Sequence, residues 1–298
     1  MAQASNLLVR RKRPSRSRVT LRSRFTLRRG AVALNVTAIL VSLIYIYPFL
    51  VTIANSLKTD GDATNSPLSL IPHPITFAAY TQIFSSWFPR ALFNSVVVTG
   101  TVTLARTFLD SLAGYAFARL SFPGRRIVFS AVIAVLAVPG VVLLIPRFLV
   151  VYQLGIYDSY AGMIIPLLCD AAGIFIMKNY FESIPVSIEE AARIDGAGPF
   201  RTFWSVVMPM AMPAVVTVLI LSFQGSWNEL SHFIVSAQNP DLAPLPKAVA
   251  ALTAGGAGKE NRFPLKLAAA VMMTVPVAII FFIYQRRLVN YTGGAVKE

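Results

Sequence analysis

Six stretches of this chain are apolar over the roughly 20 residues that a helix needs to cross a bilayer. They run from about Ala31 to Leu57, Ala91 to Ala118, Ile127 to Val151, Tyr160 to Phe181, Phe203 to Phe223 and Pro264 to Tyr284. Inside hydrocarbon no water can satisfy a backbone N–H or C=O, so each such segment must bond its own main chain as a helix. The expected fold class is therefore all-α, a polytopic membrane protein with six transmembrane helices. Pro139, Pro146, Pro166 and Pro276 fall within these segments, where each frees a carbonyl and predicts a kink.

Composition agrees: 55% of the 298 residues are hydrophobic and 13% charged, with a mean hydropathy of +0.63. That balance excludes an ordinary soluble domain. The formal net charge of +14 is uneven along the chain. Ten basic residues, Arg10, Arg11, Lys12, Arg13, Arg16, Arg18, Arg22, Arg24, Arg28 and Arg29, precede the first span with no acid among them. Next to a long apolar segment, they read as an anchor on anionic membrane lipids and not as a nucleic-acid arm, at about 1 kcal/mol per cation near the surface. Other basic flanks lie at Arg119 to Arg126, around Lys178 to Arg201 and at Arg286-Arg287. Counting Lys and Arg places these flanks and both termini in the cytoplasm. Lys58 to Arg90, Gln153 to Ser159 and Ser236 to Arg262 then lie outside, and their Pro, Gly and Asn clusters read as loops. The organisation expected is a basic tail over 1–30, one membrane domain over 31–288 and a short C-terminal tail over 289–298. The stretch after Gly30 is too long for a signal-peptide core and stays as a span. Cys169 stands alone, so no internal disulfide forms, and its apolar setting predicts a small buried side chain.

Between the fourth and fifth spans the pattern changes. Glu189-Glu190-Ala191-Ala192-Arg193-Ile194-Asp195-Gly196-Ala197-Gly198 is a polar insert, within a segment of about 183–200. Ser187 and Glu190 have capping-box spacing, which predicts a helix starting near Ser187. Carboxylates in its first turn suit the positive end of the helix dipole, and Gly196 supplies a left-handed residue to end it. The alanines give this helix a small, flat face fit to enter a groove outside the membrane.

The segment resembles the EAA motif of ATP-binding-cassette importer permeases, matching at Glu190, Ala191, Ala192, Asp195, Gly196 and Pro209. Further likeness is to the smaller permease subunit of carbohydrate importers of the maltose type. It rests on Pro74-Ile75-Thr76-Phe77 with Tyr80, Asn94-Ser95, Gly114-Tyr115-Ala116-Phe117-Ala118-Arg119 with Phe122-Pro123-Gly124-Arg125, Trp227-Asn228-Glu229, and Gln285-Arg286-Arg287-Leu288-Val289. The likeness covers the chain from about Tyr45 onward and leaves the basic tail aside. It implies a permease in the bacterial inner membrane, paired with a second homologous permease, two ATP-binding-cassette ATPase subunits and an extracytoplasmic sugar-binding protein. It also implies that Glu189, Glu190, Ala191, Ala192, Asp195 and Gly196 form a cytoplasmic coupling helix that docks in the ATPase.

The chain itself lacks a phosphate-cradling Gly-x-x-x-x-Gly-Lys-Ser/Thr loop, so ATP and Mg2+ are expected in the partner ATPase. His73 and His232 have no metal-ligand spacing to other donors, and no nucleophile-base pair suggests an enzyme. Ionisable groups inside spans are expensive and invite a function. Arg106 and Asp110, four apart, predict a mutually neutralising pair that braces the bundle. Asp170 has no local partner, and Gln224, Trp227, Asn228 and Glu229 combine amides, a carboxylate and an aromatic face suited to a sugar. These five are the substrate-path candidates, with an interfacial aromatic anchor as the plainer reading of the second group. The rival functions are an ion-gradient-driven secondary transporter, of whose signs only intramembrane carboxylates are partly met, and a membrane scaffold.

Overall fold

The computed structural model describes the backbone over residues 21–253 and 262–294, and side chains over 34–253 and 262–284. The basic residues before Leu21 lie outside the described part. The chain forms two units that divide between Val51 and Thr52. The first contains most of helix α1, Leu21–Ser56, which already begins within the expected tail and carries Pro48.

In the second unit the segment after α1 is built, not loose. Two short helices, α2 (Asp60–Asn65) and α3 (Ala78–Phe84), fill the first external stretch. Lys58 is buried beneath them and satisfies its ammonium on Asn55 Oδ1 (3.1 Å) and the carbonyls of Ser66 (2.7 Å) and Ser69 (2.8 Å). Helix α4 (Phe88–Arg119) is the long central span.

The third expected span is the main departure. Ile127 to Val151 is not one helix but two, α5 (Arg125–Val135) and α6 (Leu144–Gln153). Successive turns with Val142 bonded to Pro139 and Leu143 bonded to Gly140 separate them. Pro139 lacks an N–H and disfavours the helical conformation of the residue before it, and Gly140 adds no propensity to restart the helix. The apolar length is present, but where the sequence predicts a kink at Pro139 the helix is fully interrupted.

The fourth span is bent by 42° between α7 with its 3₁₀ turn (Tyr160–Leu167) and α8 (Ala171–Ser183). Helix α9 (Val186–Ile194) follows almost at once. The fifth span is bent by 82° between Pro199–Met210 and α12 (Met212–Trp227). Its first limb runs through α10 (Pro199–Thr202), a π-helical turn at Phe203–Val207 and α11 (Met208–Met210). Pro213 removes a donor in the first turn of α12, where the bend falls. Helices α13 (Ser231–Ser236) and α14 (Leu245–Thr253) lead to α15 (Phe263–Gly294), which tolerates Pro276 within it. Among the described residues, three helices are long and apolar enough to cross a membrane, or five spans if each bent pair counts once.

Two clusters lie at opposite ends of α4. Near its C-terminal end Tyr115, Met177, Phe181, Ile184, Phe203, Val207, Ala211, Ala214 and Val218 join α4, α8 and the bent fifth span. Near its start Phe88 and Ala91 pack with Ile83, Trp227, Leu245 and Ala268. That end is also tied by polar bonds. Asn94 Nδ2 donates to the carbonyls of Asp241 (2.9 Å) and Ala243 (3.2 Å), Tyr160 donates to Asn94 Oδ1 (2.6 Å), and Leu245 N donates to Ser95 Oγ (2.7 Å). The expected loop after Ser236 is thus pinned to α4.

Candidate functional site: the anchored α9 helix and the polar break

Helix α9 does not use the expected capping box. It starts one residue earlier, at Val186, with Pro185 at the N-cap and no side-chain capping bond. Pro185 fixes its φ at −57° and leads directly into the first turn, leaving Ser187 and Glu190 exposed within the helix. The other end is as expected: Gly196 takes φ +79°, Gly196 N donates to Arg193 O (3.0 Å) and Ala197 N to Ala192 O (2.9 Å). These two bonds are a Schellman closure, satisfying carbonyls that the helix would otherwise leave open.

Glu189 is the residue whose role sequence reasoning missed. It is 1% exposed, turned away from any docking face, and its Oε1 lies 2.6 Å from Arg119 Nε at the end of α4. Tyr115 OH donates to its Oε2 (3.2 Å). Arg119 Nη2 also donates to the carbonyls of Phe181 (2.7 Å) and Ile184 (2.5 Å), the last residues before α9. One guanidinium therefore fastens the end of α8, the link and α9 to α4. The signal was available: a run ending in Tyr115-x-x-x-Arg119 puts both donors on one helix face. The exposed side chains on and after α9 include Ser187, Glu190, Ala191, Arg193 and Asp195 together with the apolar Val186, Ile194 (87% exposed) and Phe200 (71%). Ala192 is half-buried and gives its carbonyl to the closure.

The substrate-path candidates separate. Trp227 is buried, stacks on Phe223 at 5.5 Å and donates to Met273 O (3.2 Å), so it is core and offers no free face to a ligand. Glu229 accepts from His232 N (2.8 Å) at the start of α13. Gln224, in the last turn of α12, and Asn228, which caps that helix, are exposed, with Asn228 donating to Gln224 O (2.9 Å). Asp170 caps α8, its Oδ2 accepting from Gly173 N (3.2 Å).

Arg106 and Asp110 do not form the expected ion pair: the described salt bridges do not include one between them. Both turn to the break in the fourth span. Arg106 Nε donates to Leu167 O (2.6 Å), and Asp110 Oδ1 accepts from Asp170 N (3.0 Å). A broken helix frees carbonyls on one side and amides on the other in a medium without water, and one of each, Leu167 O and Asp170 N, takes these side chains in place of a mutual pair. Cys169, in the same break, is exposed and not buried, because the link is not helical and turns it outward. Among the described residues no group of three His, Cys or carboxylate side chains gathers to hold a metal.

Comparison with known proteins gives a consistent result. Residues 111–290 match the family model described as binding-protein-dependent transport system inner membrane component. The trehalose transport system permease protein SugB of Mycobacterium tuberculosis is 33% identical over 81% of this chain and 89% of its own length. The sulfoquinovosyl glycerol transport system permease protein SmoH of Agrobacterium fabrum is 35% identical over 85% of this chain and 89% of its own. A crystal structure of a bacterial ABC transporter involved in the import of the acidic polysaccharide alginate includes a chain that superposes with a TM-score of 0.77, at 26% identity, over 90% of this chain and 98% of that one.

Proposed function

The chain belongs to the binding-protein-dependent transport system inner membrane component family, and from that membership we propose that its cargo is a carbohydrate and that α9 is the helix through which ATP hydrolysis drives the import. It is a transport subunit of the inner membrane and not an enzyme. The relatives named for trehalose and for sulfoquinovosyl glycerol support a sugar or glycoside as cargo. In this reading ATP and Mg2+ sit in two partner ATPase subunits, a second permease completes the path, an external binding protein delivers the sugar, and both termini face the cytoplasm.

The observation that carries the reading is the contrast between the two sides of α9. Glu189 is locked inward on Arg119, while Ile194 and Phe200 stand exposed beside Glu190, Ala191 and Arg193. Large exposed apolar side chains rimmed by polar ones mark a protein interface. A partner pushing on that face moves α4 and α8 through a buried ion pair and three further hydrogen bonds. Gln224 and Asn228 on α12 keep free polar faces suited to sugar hydroxyls and remain the residues proposed to line the path. Trp227 and Glu229 hold α12, α13 and α15 in place.

The test is reconstitution of the chain with its ATPase, second permease and binding protein in liposomes, with uptake of radiolabelled trehalose followed with and without ATP. In a Cys169→Ser background, Ile194→Cys should cross-link to a cysteine introduced in the ATPase cleft. ATP-independent uptake, or ATPase cross-links from external positions but none from Ile194→Cys, would overturn the reading.

A further inference from the structure

We propose that Arg106 and Asp110 are positioning residues that set the bend of the fourth span, so that α8 moves as one body with α4 when α9 is driven; the coupling part of this rests on the function proposed above. Three observations converge on one turn of α4. The carbonyl released at the end of the 3₁₀ turn, that of Leu167, is taken by Arg106 Nε at 2.6 Å. The amide that opens α8, that of Asp170, is taken by Asp110 Oδ1 at 3.0 Å. The second carboxylate oxygen of Asp110, fully buried and with no hydrogen-bond partner among the described residues, lies against Gly173, where an added methyl carbon would overlap it and come within 2.9 Å of the carboxyl carbon.

Each side of the break is therefore held by a different residue of the same helix, four positions apart. A donor meets the free carbonyl and an acceptor meets the free amide, which is the only charge order that satisfies both. The Arg106 guanidinium also reaches the third element: its Nη1 would lie 3.7 Å from a Cβ built on Gly225 of α12. Arg106 thus bonds the first limb of the fourth span and lies close to the backbone of α12. Without the clasp the 42° bend would be free to open or close, because a helix break with unheld ends is a hinge. Driving α9 would then flex the fourth span instead of displacing it.

The experiment uses the full reconstituted complex in a Cys169→Ser background, with spin labels on Ile165→Cys and Asn179→Cys, two exposed positions on either side of the break. Their separation of about 20 Å along a helix is within reach of pulsed dipolar measurement. The clasp predicts one narrow distance distribution in the parent protein. Asp110→Val and Arg106→Met should broaden it at least twofold, whereas Asp110→Asn, which keeps a carbonyl acceptor for the Asp170 amide, should not. In parallel, trehalose carried per ATP hydrolysed should fall about tenfold in the two apolar variants while ATP hydrolysis itself persists, and Asp110→Asn should restore it. An unchanged distribution in either apolar variant overturns the proposal, as does a broadened one with an unchanged transport ratio. If the parent protein carries no sugar yet the distributions respond as stated, the clasp stands and the transport reading fails. If Asp110→Val does not assemble, Arg106→Met and Asp110→Asn decide the matter.

Discussion

Replacing Glu189 by Leu should release α9 from the membrane bundle. The carboxylate is 1% exposed and its Arg119 partner 10%, so the substitution leaves a nearly buried cation without its counter-charge, a loss of about 3 to 5 kcal/mol for such pairs. Arg119 keeps the carbonyls of Phe181 and Ile184 as acceptors, which favours the lower end of that range. The Tyr115 hydroxyl loses its acceptor, adding about 1 kcal/mol. A total near 3 to 4 kcal/mol corresponds to roughly two to three decades in the population of the undocked helix. Hydrogen exchange of the α9 amides, read by mass spectrometry in nanodiscs, should accelerate by about a hundredfold or more, while α4 amides near Val98 and Val102 stay protected. Combining Arg119→Met with Glu189→Leu removes both charges and should recover most of the protection, since an apolar pair of similar volume serves as well as a buried ion pair. Unchanged exchange over Ala191 to Ile194 in Glu189→Leu would refute the anchor.

Gly173→Ala inserts a methyl group into the Asp110 carboxyl, and overpacking of this kind costs about 1 to 3 kcal/mol; the yield of assembled complex in detergent should drop severalfold. Gly196→Val places a β-branched residue at φ +79°, a strain of about 1 to 2 kcal/mol, and should fray the end of α9 and lower uptake at equal membrane expression. Lys58→Met removes the buried ammonium that bonds the Ser66 and Ser69 carbonyls, at about 1 to 3 kcal/mol for a buried acceptor that loses its donor, and limited proteolysis should then cut between Asp60 and Pro72 faster than in the parent protein.

Length and hydrophobicity in the sequence were enough to locate α4, α15 and the two bent spans, because crossing a bilayer demands an uninterrupted apolar run whatever its partners. They were not enough for Ile127 to Val151, where the same apolar content is divided by Pro139-Gly140 into two helices too short to cross alone. The Gly196 terminus was readable because a left-handed residue at a helix end is a local requirement. Its start was not, because Pro185 competes locally with Ser187 and the buried Glu189 is decided by Arg119, seventy positions away in the chain. For the same reason the sequence marks Arg106 and Asp110 as significant without specifying their partners. Four-residue spacing describes what an isolated helix offers, whereas these side chains answer to a break in a different helix. Trp227 shows the complementary error: its residue type suits a sugar, but its depth and its bond to Met273 leave no face to give.

The ties at the start of α4 also set a schedule for the chain's synthesis. Asn94 and Ser95, both nearly fully buried, find their partners at Asp241, Ala243 and Leu245, 147 to 150 positions later. At about 5 to 20 residues per second, the ribosome reaches those partners some 7 to 30 s after Asn94 and Ser95 are made. For most of that interval Tyr160, which donates to Asn94 Oδ1, is the one of these partners already made, and the Asn94 amide nitrogen and the Ser95 hydroxyl wait at the end of an apolar helix for the rest. The nascent protein must hold α4 near water, or against the insertion machinery, until its last third arrives, so a slowed or truncated C-terminal segment should expose α4 to degradation even though every span before it is intact.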